Sequence, residues 1–574
     1  MSLLIKILVT SLFFGLFSVN SEEKMEIKNG LLHSIFQSNM VIQRSKPADV
    51  WGWAKPGEKV RVEFAGKSAT ASAGSDGKWK ITLPAMEASS TPAVMTVKSN
   101  DSEVKLENIL IGDVWILGGQ SNMQWPISRV DNGNIEVASA NFPNIRLMKV
   151  PQIFGPELKE NFPSAADLSK INGKETSEGA WQICSPETVG DMSAIGYIMG
   201  RRIHLTAGVP VGLINTSRGG TTVEAWTPMT KLSPINTPEV KARLEITTGK
   251  AHHIPGSCFA SVISPISGFA VKGAIFHQGY NNCFNGVEGA VMYRSIFPEM
   301  IKGWREAFND PQLPFCIISQ CTAGKQQTLD SFLPMISDIG ARIREAQYQT
   351  FLDLYKAGDK NIGFVSTYDL RRESYHPGLK IPAGERAAVW ALGSQYGMED
   401  KFIWLPPMLT EMKEVDGALH LTFDRSVRGL SDGADMNGFA IAGEDMKFQP
   451  ASVSFKVIGK QGRKEKYDTK ILVLKSPLVT KALHFRYAWG RNPMGNIRLA
   501  LRFSNEVPLP TQRSDQWTNA DLLKALTGKT AEDAGKLSKG DHNALKAALL
   551  KEDLRRKIEE AKALLKQQKE LSSN

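Results

Sequence analysis

Cysteine is scarce in this chain, with five residues in 574: Cys184, Cys258, Cys283, Cys316 and Cys321. An odd number leaves at least one thiol unpaired or paired between chains, and the wide scatter does not suggest a disulfide framework. The adjacent pair His252-His253 has no obvious partner set with metal-ligand spacing. We therefore expect no metal and no cofactor.

Long apolar runs are also lacking, apart from one near the N-terminus. Lys6 is followed by an apolar segment from Ile7 to Ser18, and small residues continue to Ser21. This run is too short to span a bilayer comfortably, and its flanks are typical of an export signal. We expect residues 1–21 to be a signal peptide and the mature protein to be exported, periplasmic or secreted, without a membrane partner. An uncleaved anchor is the alternative.

The basic segments of the chain lack the interleaved aromatic residues that are typical of nucleic-acid binding. The formal net charge is +10, which by itself suggests nucleic acid as a partner. The most concentrated basic tracts, 456–470 and the tail from Lys524 onward, carry no base-stacking aromatic pattern. We interpret them as solvated faces and expect no nucleic acid to bind.

The chain is too long for one hydrophobic core and divides by its secondary-structure pattern. The predicted units are a signal peptide 1–21, an N-terminal β domain 27–110, an α/β domain 111–397, a C-terminal β domain 405–514 and a helical basic tail 515–574. In the central unit, strand-like runs alternate with helical patterns such as Ser193 to Ala207 and Met292 to Phe308. Oligomeric state does not follow from these patterns.

One strand-like run, Val114 to Leu117, ends in Gly118-Gly119-Gln120-Ser121-Asn122-Met123. A serine at such a turn can lift its hydroxyl out of the sheet edge beside free backbone N–H groups, as a nucleophile requires. The tetrapeptide also occurs as Gln37-Ser38-Asn39-Met40. Because no glycine turn precedes Ser38, we interpret Ser38 as structural and Ser121 as the candidate nucleophile.

Three distant segments also place polar groups after predicted strands. The first reaches Gly219 and Gly220, the second reaches Asn282, and the third reaches Asp369 and then His376. Glycine N–H groups and an asparagine amide suit an oxyanion hole, and a histidine held by a rigid loop suits a general base. Carboxyl ends of parallel strands meet at one sheet edge, where open α/β sheets bind ligands.

Taken together, these four segments resemble the blocks of the SGNH (GDSL-like) hydrolases, and more closely the sialate O-acetylesterase branch. Similar flanking segments extend the resemblance over roughly residues 27 to 514. It implies a flavodoxin-like parallel-sheet domain with flanking β-sandwich-like domains. It also implies hydrolysis of O-acetyl esters on sugars, with Ser121 as nucleophile and His376 as base. The implied oxyanion hole consists of the Ser121 N–H, Gly220 (or Gly219) and Asn282.

Three positions depart from the family pattern. Tyr280-Asn281 stands where Glu-Ser is usual, Arg218 where Trp is usual, and Gln124 where Glu is usual. The acid that steers His376 is Glu373 by its spacing, or alternatively Asp369. The expected substrate-binding residues are Gln120, Arg218, Glu224, Gln278 and Tyr280.

These departures leave the reaction type in place and alter the lining of the cleft. A guanidinium at Arg218 favours an anionic sugar, unless it pairs with Glu224 or another local acid. We therefore expect an exported carbohydrate O-acetylesterase whose partner is an O-acetylated carbohydrate. The alternative is a non-catalytic carbohydrate-binding protein that retains the esterase fold.

Overall fold

The computed structural model describes residues 29–155, 157–430, 436–501, 507–531 and 537–572. The expected signal peptide, 1–21, lies outside the described residues. The fold is mixed α/β, with a central, mostly parallel sheet and additional antiparallel sheets.

The first strands build an N-terminal β unit. They are β1 (Val41–Gln43), β2 (Ala48–Trp53), β3 (Lys59–Phe64), β4 (Lys67–Ser72), β5 (Lys78–Leu83), β6 (Ser89–Lys98) and β7 (Glu103–Gly119). Strands β4, β3, β6 and β7 pair antiparallel in that order, while β2 and β5 form a separate two-stranded sheet. Buried and exposed residues alternate along β3, because successive side chains of a strand point to opposite faces.

Strand β7 joins this unit to the catalytic sheet. Its 17 residues pair first with β6 and β1 and then continue into the parallel sheet. The expected boundary between residues 110 and 111 therefore lies inside one continuous strand. The two units share a single hydrophobic core.

Six further strands complete the central sheet. They are β8 (Phe142–Lys149), β9 (Gln182–Cys184), β10 (Val211–Asn215), β11 (Gly273–His277), β12 (Phe315–Ile318) and β13 (Ile362–Val365). The sheet order is β13-β12-β11-β7-β10-β8-β9, parallel except at β9. The order reverses at β7, so its carboxyl end lies at the switch point where doubly wound sheets bind ligands.

In the described residues, ten α-helices accompany these strands: nine connect them and the tenth follows β13. They are α1 (Ser121–Gln124), α2 (Gly133–Ala138), α3 (Ala165–Asn172), α4 (Pro186–Val189), α5 (Ala194–Ala207), α6 (Met229–Leu232), α7 (Pro238–Leu244), α8 (Gly286–Ala307), α9 (Gly340–Lys356) and α10 (Ile381–Gln395). The pair α5 and α10 packs on one face of the sheet, and α8 and α9 pack on the other. The helices predicted over 193–207 and 292–308 correspond to α5 and α8.

The C-terminal β unit is antiparallel throughout. Its strands are β14 (Leu409–Val415), β15 (Ala418–Phe423), β16 (Val427–Arg428), β17 (Phe439–Ala442), β18 (Gln449–Pro450), β19 (Ser452–Gln461), β20 (Lys464–Lys475), β21 (His484–Tyr487), β22 (Arg498–Leu499) and β23 (Gln512–Arg513). Two four-stranded sheets, β14-β15-β20-β19 and β18-β17-β21-β23, bury their inner faces in one common core.

Two helices follow this unit, α11 (Asn519–Thr527) and α12 (Lys539–Ser572). Thr518 and Asp521 form a capping box that begins α11, since each side chain binds the other's backbone N–H. Leu545 and Leu549 of α12 are buried beside Leu333 and Ile336. The first turns of α12 are therefore docked on the catalytic unit.

Two further findings concern the sequence expectations. All five cysteines lie in the described residues, and each thiol is free. Among the helices of the described ranges, none combines the length and hydropathy that a bilayer span requires.

Candidate active site

The turn after β7 presents Ser121 at the start of α1. Gly119 has φ +126°, and a Cβ there would lie 2.2 Å from the His277 carbonyl oxygen, so only glycine fits this close approach. The Gln120 N–H then donates to that carbonyl at 3.0 Å, which fixes the turn. Because Ser121 is the first helical residue, its own N–H has no intrahelical acceptor.

The duplicated tetrapeptide around Ser38 lies in a different environment. Ser38 Oγ accepts the Glu107 N–H at 2.9 Å, and Asn39 adopts φ +68° before β1 begins. The Asn39 side chain accepts from the Asn108 amide at 2.7 Å. Ser38 thus ties a turn to β7 within the N-terminal unit.

The loop after β10 brings Gly219 beside the serine. A Cβ on Gly219 would lie 3.3 Å from Ser121 Cβ, and the Gly219 N–H donates to Gln124 Oε1 at 2.8 Å. Gly220 has φ +80°, and its N–H finds no acceptor within the described ranges. Of the two glycines, Gly220 therefore has the donor that remains available to a substrate oxygen.

Asn282 is fully buried and held by three groups. Its Oδ1 accepts the Val223 N–H at 3.0 Å and Gln278 Nε2 at 2.9 Å, which determines the orientation of the amide. Its Nδ2 donates to Glu224 Oε2 at 3.1 Å, and the other Glu224 oxygen accepts from Arg243 Nε. Glu224 is buried with both oxygens occupied, an arrangement suited to positioning Asn282.

Gln120 and Gln278 are both buried behind the serine turn. Gln278 Nε2 lies within hydrogen-bond distance of Gln120 Oε1, at 3.1 Å, and of the Thr221 carbonyl, at 2.9 Å. The Gln278 carbonyl accepts from Gln347 Nε2. These amides connect the serine turn, the glycine loop and the Asn282 segment in one hydrogen-bonded network.

His376 reaches the same region on the loop after β13. Its ring stacks on Trp125, with centroids 4.3 Å apart and planes 11° apart. Asn122 Nδ2 donates to the Tyr375 carbonyl at 3.1 Å, so the helix that begins with Ser121 contacts the histidine loop twice. Within the described residues, no hydrogen bond joins Ser121 to His376, and such bonds are often long without substrate.

A buried cation lies beneath this loop. Lys380 is fully buried, and its Nζ donates to Asn122 Oδ1. Burial lowers the pKa of Lys380 to about 8. Burial, and secondarily the charge of Lys380, also lower the pKa of His376, which favours the neutral imidazole that a general base requires.

The two candidate steering acids occupy contrasting sites. The side chain of Glu373 is exposed and makes no hydrogen bond within the described ranges. Asp369 is buried in a bidentate pair with Arg386, at 2.7 and 2.6 Å. Burial opposes ionisation of Asp369, but Arg386 outweighs it and keeps the pKa below the usual range. Neither carboxylate hydrogen-bonds to His376.

Arg218 lies on the outer side of the glycine loop. Its Nη1 donates to Gln152 Oε1 at 3.2 Å, and its guanidinium lies over the Phe154 ring at 5.3 Å. In the described part of the chain it forms no salt bridge, and Arg243 rather than Arg218 pairs with Glu224. The alternative that Arg218 is neutralised by Glu224 is therefore wrong.

Two histidines complete this side of the loop. The rings of His252 and His253 meet edge to face at 4.4 Å, and the Nε2 of each would lie 3.6 Å from a Cβ on Gly220. Burial lowers the pKa of His252 to about 4 and also lowers the pKa of His253. Two neutral imidazoles thus border Gly220. The described residues contain no group of three or more His, Cys, Asp or Glu side chains able to share a metal ion.

Tyr280 forms an aromatic patch with two exposed rings. Its ring contacts Phe284 at 5.6 Å and Tyr375 at 5.4 Å between centroids. Phe284 and Tyr375 are 73% and 57% exposed, although both are large aromatic residues. Burial raises the pKa of Tyr280, so its hydroxyl stays protonated. The patch adjoins His376 through Tyr375.

Sequence reasoning did not find several residues of this region. Asn122 and Trp125 lie within the serine motif, where spacing gives no hint that they contact the distant loop of Tyr375 and His376. Lys380 follows His376 by four residues, but a lysine in a polar loop gives no signal of burial. Phe154 lies in a segment without a motif.

The chain is similar to known carbohydrate esterases. Residues 111–370 match the family described as carbohydrate esterase, sialic acid-specific acetylesterase. The sialate O-acetylesterase of Homo sapiens is 26% identical over 422 residues, covering 69% of this chain and 77% of the human protein. The Mus musculus protein is 24% identical over 532 residues, covering 83% and 93%.

A solved structure extends the likeness to the fold. The crystal structure of a carbohydrate acetylesterase from Xanthomonas citri superposes with a TM-score of 0.70 at 27% identity, covering 85% of this chain and all of that one. The family match at residues 111–370, the two curated relatives and this structure all point to the same group of carbohydrate acetylesterases. The resemblance inferred from the motifs is confirmed, and the protein is a carboxylic ester hydrolase.

Proposed function

We propose that the protein is an exported serine esterase that removes O-acetyl groups from carbohydrates through an acyl-enzyme. The observation that carries this proposal is the meeting of three segments. The helix of Ser121 contacts the Gly219–Gly220 loop on one side, and through Asn122 and Trp125 it contacts the loop of His376. Export is part of the proposal and rests on the N-terminal sequence pattern.

The fold supports an SGNH-type assignment of the catalytic unit. Counted in chain order, the parallel strands β7, β10, β11, β12 and β13 are arranged 2-1-3-4-5, the order of flavodoxin-like sheets. Strands β8 and β9 extend this sheet beyond β10. In the proposal, residues 111–397 form the hydrolase domain and the flanking β units support it.

The serine, histidine and amide groups of the site suggest how Ser121 would be acylated. Ser121 Oγ attacks the acetyl carbonyl carbon while His376 accepts the hydroxyl proton. The carbonyl oxygen becomes an oxyanion, for which the N–H groups of Ser121 and Gly220 are available donors. The Asn282 amide is the proposed third donor, since only one of its two N–H bonds is occupied by Glu224.

Collapse of this intermediate breaks the ester bond. The sugar oxygen leaves with the proton from His376, and the acetyl group stays on Ser121. Water then attacks the acetyl-serine while His376 accepts its proton and returns it to Ser121 Oγ. The products are acetate and the free sugar hydroxyl, so atoms and charge balance.

Ser121→Ala tests the nucleophile. We expect loss of at least ~10³-fold in kcat for release of p-nitrophenol from p-nitrophenyl acetate, with little change in melting temperature. Ser38→Ala is the matched control, because it alters the same tetrapeptide in the N-terminal unit, and it should keep wild-type turnover. Near-normal activity in Ser121→Ala would refute the assignment.

The second candidate function is a non-catalytic carbohydrate-binding protein. The exposed patch of Phe284 and Tyr375 suits sugar contact in either function. A wild-type protein that binds acetylated glycans and releases no acetate from them would favour this alternative.

For the substrate, we propose an acetylated acidic glycan. Arg218 supplies a cation that no acidic side chain in the described ranges neutralises, and a guanidinium can hold a sugar carboxylate in a bidentate pair. Gln152 and Phe154 hold the guanidinium beside the glycine loop. Sialic and uronic acids both carry the required carboxylate.

Arg218→Trp and Arg218→Gln test this preference. We expect the ratio of kcat/KM for an acetylated uronic-acid oligomer to that for acetylated xylan to fall about tenfold, since one charge-assisted pair is lost. Arg372→Gln is the control, because it removes an exposed arginine that is already paired with Asp131. An unchanged ratio would leave the esterase in place and make Arg218 structural.

A further inference from the structure

We propose that a cleft between the N-terminal β unit and the catalytic unit binds a pyranose of a glycan chain, apart from the active site. The cleft has a volume of about 380 Å³. Its walls include Trp51, Trp53 and Lys80 from the β2–β5 sheet, and Ser267, Gly268 and Asn309 from the catalytic unit. Ligand pockets commonly form at such junctions and have volumes of roughly 300 to 1,000 Å³.

The strand register places the two tryptophans on one face. Trp51 and Trp53 are two residues apart on β2, so both side chains point to the same side of the sheet. They pair across the sheet with Lys80 and Lys78. Both indoles are half-buried, so part of each ring faces the cleft.

The rings are fixed from behind. His33 is buried and contacts Trp51 at 5.1 Å and Trp53 at 5.9 Å between centroids. Phe36 packs edge-on against Trp51 at 4.8 Å. A ligand therefore meets rings already held in place, and little side-chain freedom is lost on binding.

Unused polar groups surround these rings. Within the described residues, the indole N–H groups of Trp51 and Trp53 and the carboxamide of Asn309 make no hydrogen bond. Lys80 Nζ lies 3.1 Å from Asp49 Oδ2, which places a cation and a carboxylate at the rim. The cleft thus offers both donors and acceptors.

This combination matches a sugar. The C–H face of a pyranose packs on an aromatic ring, and its hydroxyl groups donate to and accept from the surrounding polar groups. An apolar protein surface would cover the carboxamide of Asn309 without giving it a hydrogen-bond partner, at a free-energy cost. The geometry therefore favours a carbohydrate as occupant.

The cleft lies at the opposite edge of the sheet from the catalytic residues. Gly268 precedes β11 and Asn309 precedes β12, whereas Ser121 and His376 follow the carboxyl ends of β7 and β13. A sugar in the cleft is thus remote from the reacting ester. Its effect would be to hold a polymeric substrate on the enzyme and raise the local ester concentration.

Binding can be measured without turnover, so this inference can fail while the esterase assignment stands. The probes are unacetylated xylohexaose and a fully de-esterified oligogalacturonate, titrated into Ser121→Ala by calorimetry. We expect one of them to bind, and Trp53→Ala in that background to raise its Kd at least about tenfold. Asn309→Gly, which preserves the positive φ, should also weaken binding.

Controls separate loss of binding from loss of folding. Tyr467→Ala removes an exposed aromatic ring from β20, far along the chain, and should leave the Kd unchanged. Trp53→Ala with wild-type Ser121 should hydrolyse p-nitrophenyl acetate normally. The proposal would be overturned if neither probe bound to Ser121→Ala. It would also be overturned if the Kd of the bound probe were unchanged in both Trp53→Ala and Asn309→Gly.

Discussion

Single side chains set the protonation of the candidate base. His376 is half-buried against Trp125, and its pKa is lowered first by burial and then by the charge of Lys380. Lys380 also binds Asn122, whose other amide atom binds the Tyr375 carbonyl. One lysine therefore acts on the histidine both electrostatically and through a hydrogen-bonded bridge.

Lys380→Met should shift the pH profile of the esterase. Removing the cation raises the pKa of His376, so more of the imidazole is protonated at a given acidic pH. We expect the acid limb of kcat/KM to move to higher pH and kcat to fall, because Asn122 loses a donor. The measurement is the pH dependence of kcat/KM for p-nitrophenyl acetate between pH 4 and 9, with the exposed Lys360→Met as control. An acid limb that stays in place would remove Lys380 from this role.

At the scale of elements, the C-terminal β unit holds the loop of the base. Tyr368 and Tyr487 share a hydrogen bond of 2.8 Å between their hydroxyls. Arg371 donates to the carbonyls of Pro493 and Gly495. The loop that begins after β13 is thus fixed to a neighbouring unit before it reaches His376.

Arg371→Ala should lower kcat strongly and change the thermal-unfolding temperature little. Both backbone contacts are lost, so His376 samples positions away from the serine, and small displacements of catalytic groups reduce rates by up to about a hundredfold. We expect kcat to fall about ten- to a hundredfold while KM changes little. Arg425→Ala, which breaks a pair within the C-terminal unit, is the control for kinetic and thermal-unfolding measurements. Equal kinetics in the two variants would contradict the prediction.

At the scale of the whole molecule, buried neutral histidines link folding to pH. His33 lies in the core shared by the N-terminal and catalytic units. Its Nδ1 accepts the Ile35 N–H at 3.0 Å, so its Nε2–H donates to the Glu160 carbonyl at 3.0 Å. Burial lowers the pKa of His33 from 6.5 to about 4. Protonation would break the bond from Ile35.

Acid should therefore destabilise the fold before carboxylates titrate. Between pH 6.5 and about 4, the unfolded state binds a proton at His33 that the folded state does not, so the free energy of unfolding falls as pH falls. For this group the loss from pH 7 to pH 5 is about 2 kcal/mol. His33→Gln should be less stable at pH 7 but show a smaller loss between these pH values, measured by urea unfolding. An identical pH dependence in both proteins would contradict the assignment.

Much of the site could be predicted from the sequence because parallel strands end at a common edge. The turn at Gly118-Gly119 favoured Ser121 over Ser38 as the candidate nucleophile. The segments ending in Gly220, Asn282 and His376 were expected at the same edge of the sheet. The family followed from these motifs. Each motif consists of neighbouring residues, so it can be recognised from the sequence alone.

Only the tertiary structure decided which groups each residue contacts. It assigned Glu224 to Arg243 and Asn282, Asp369 to Arg386, and the Gly219 N–H to Gln124. These partners are separated by 17 to 95 residues along the chain. A sequence pattern specifies burial and local turns through short-range periodicity, whereas hydrogen-bond partners depend on distances that exist only after the sheets and helices have packed.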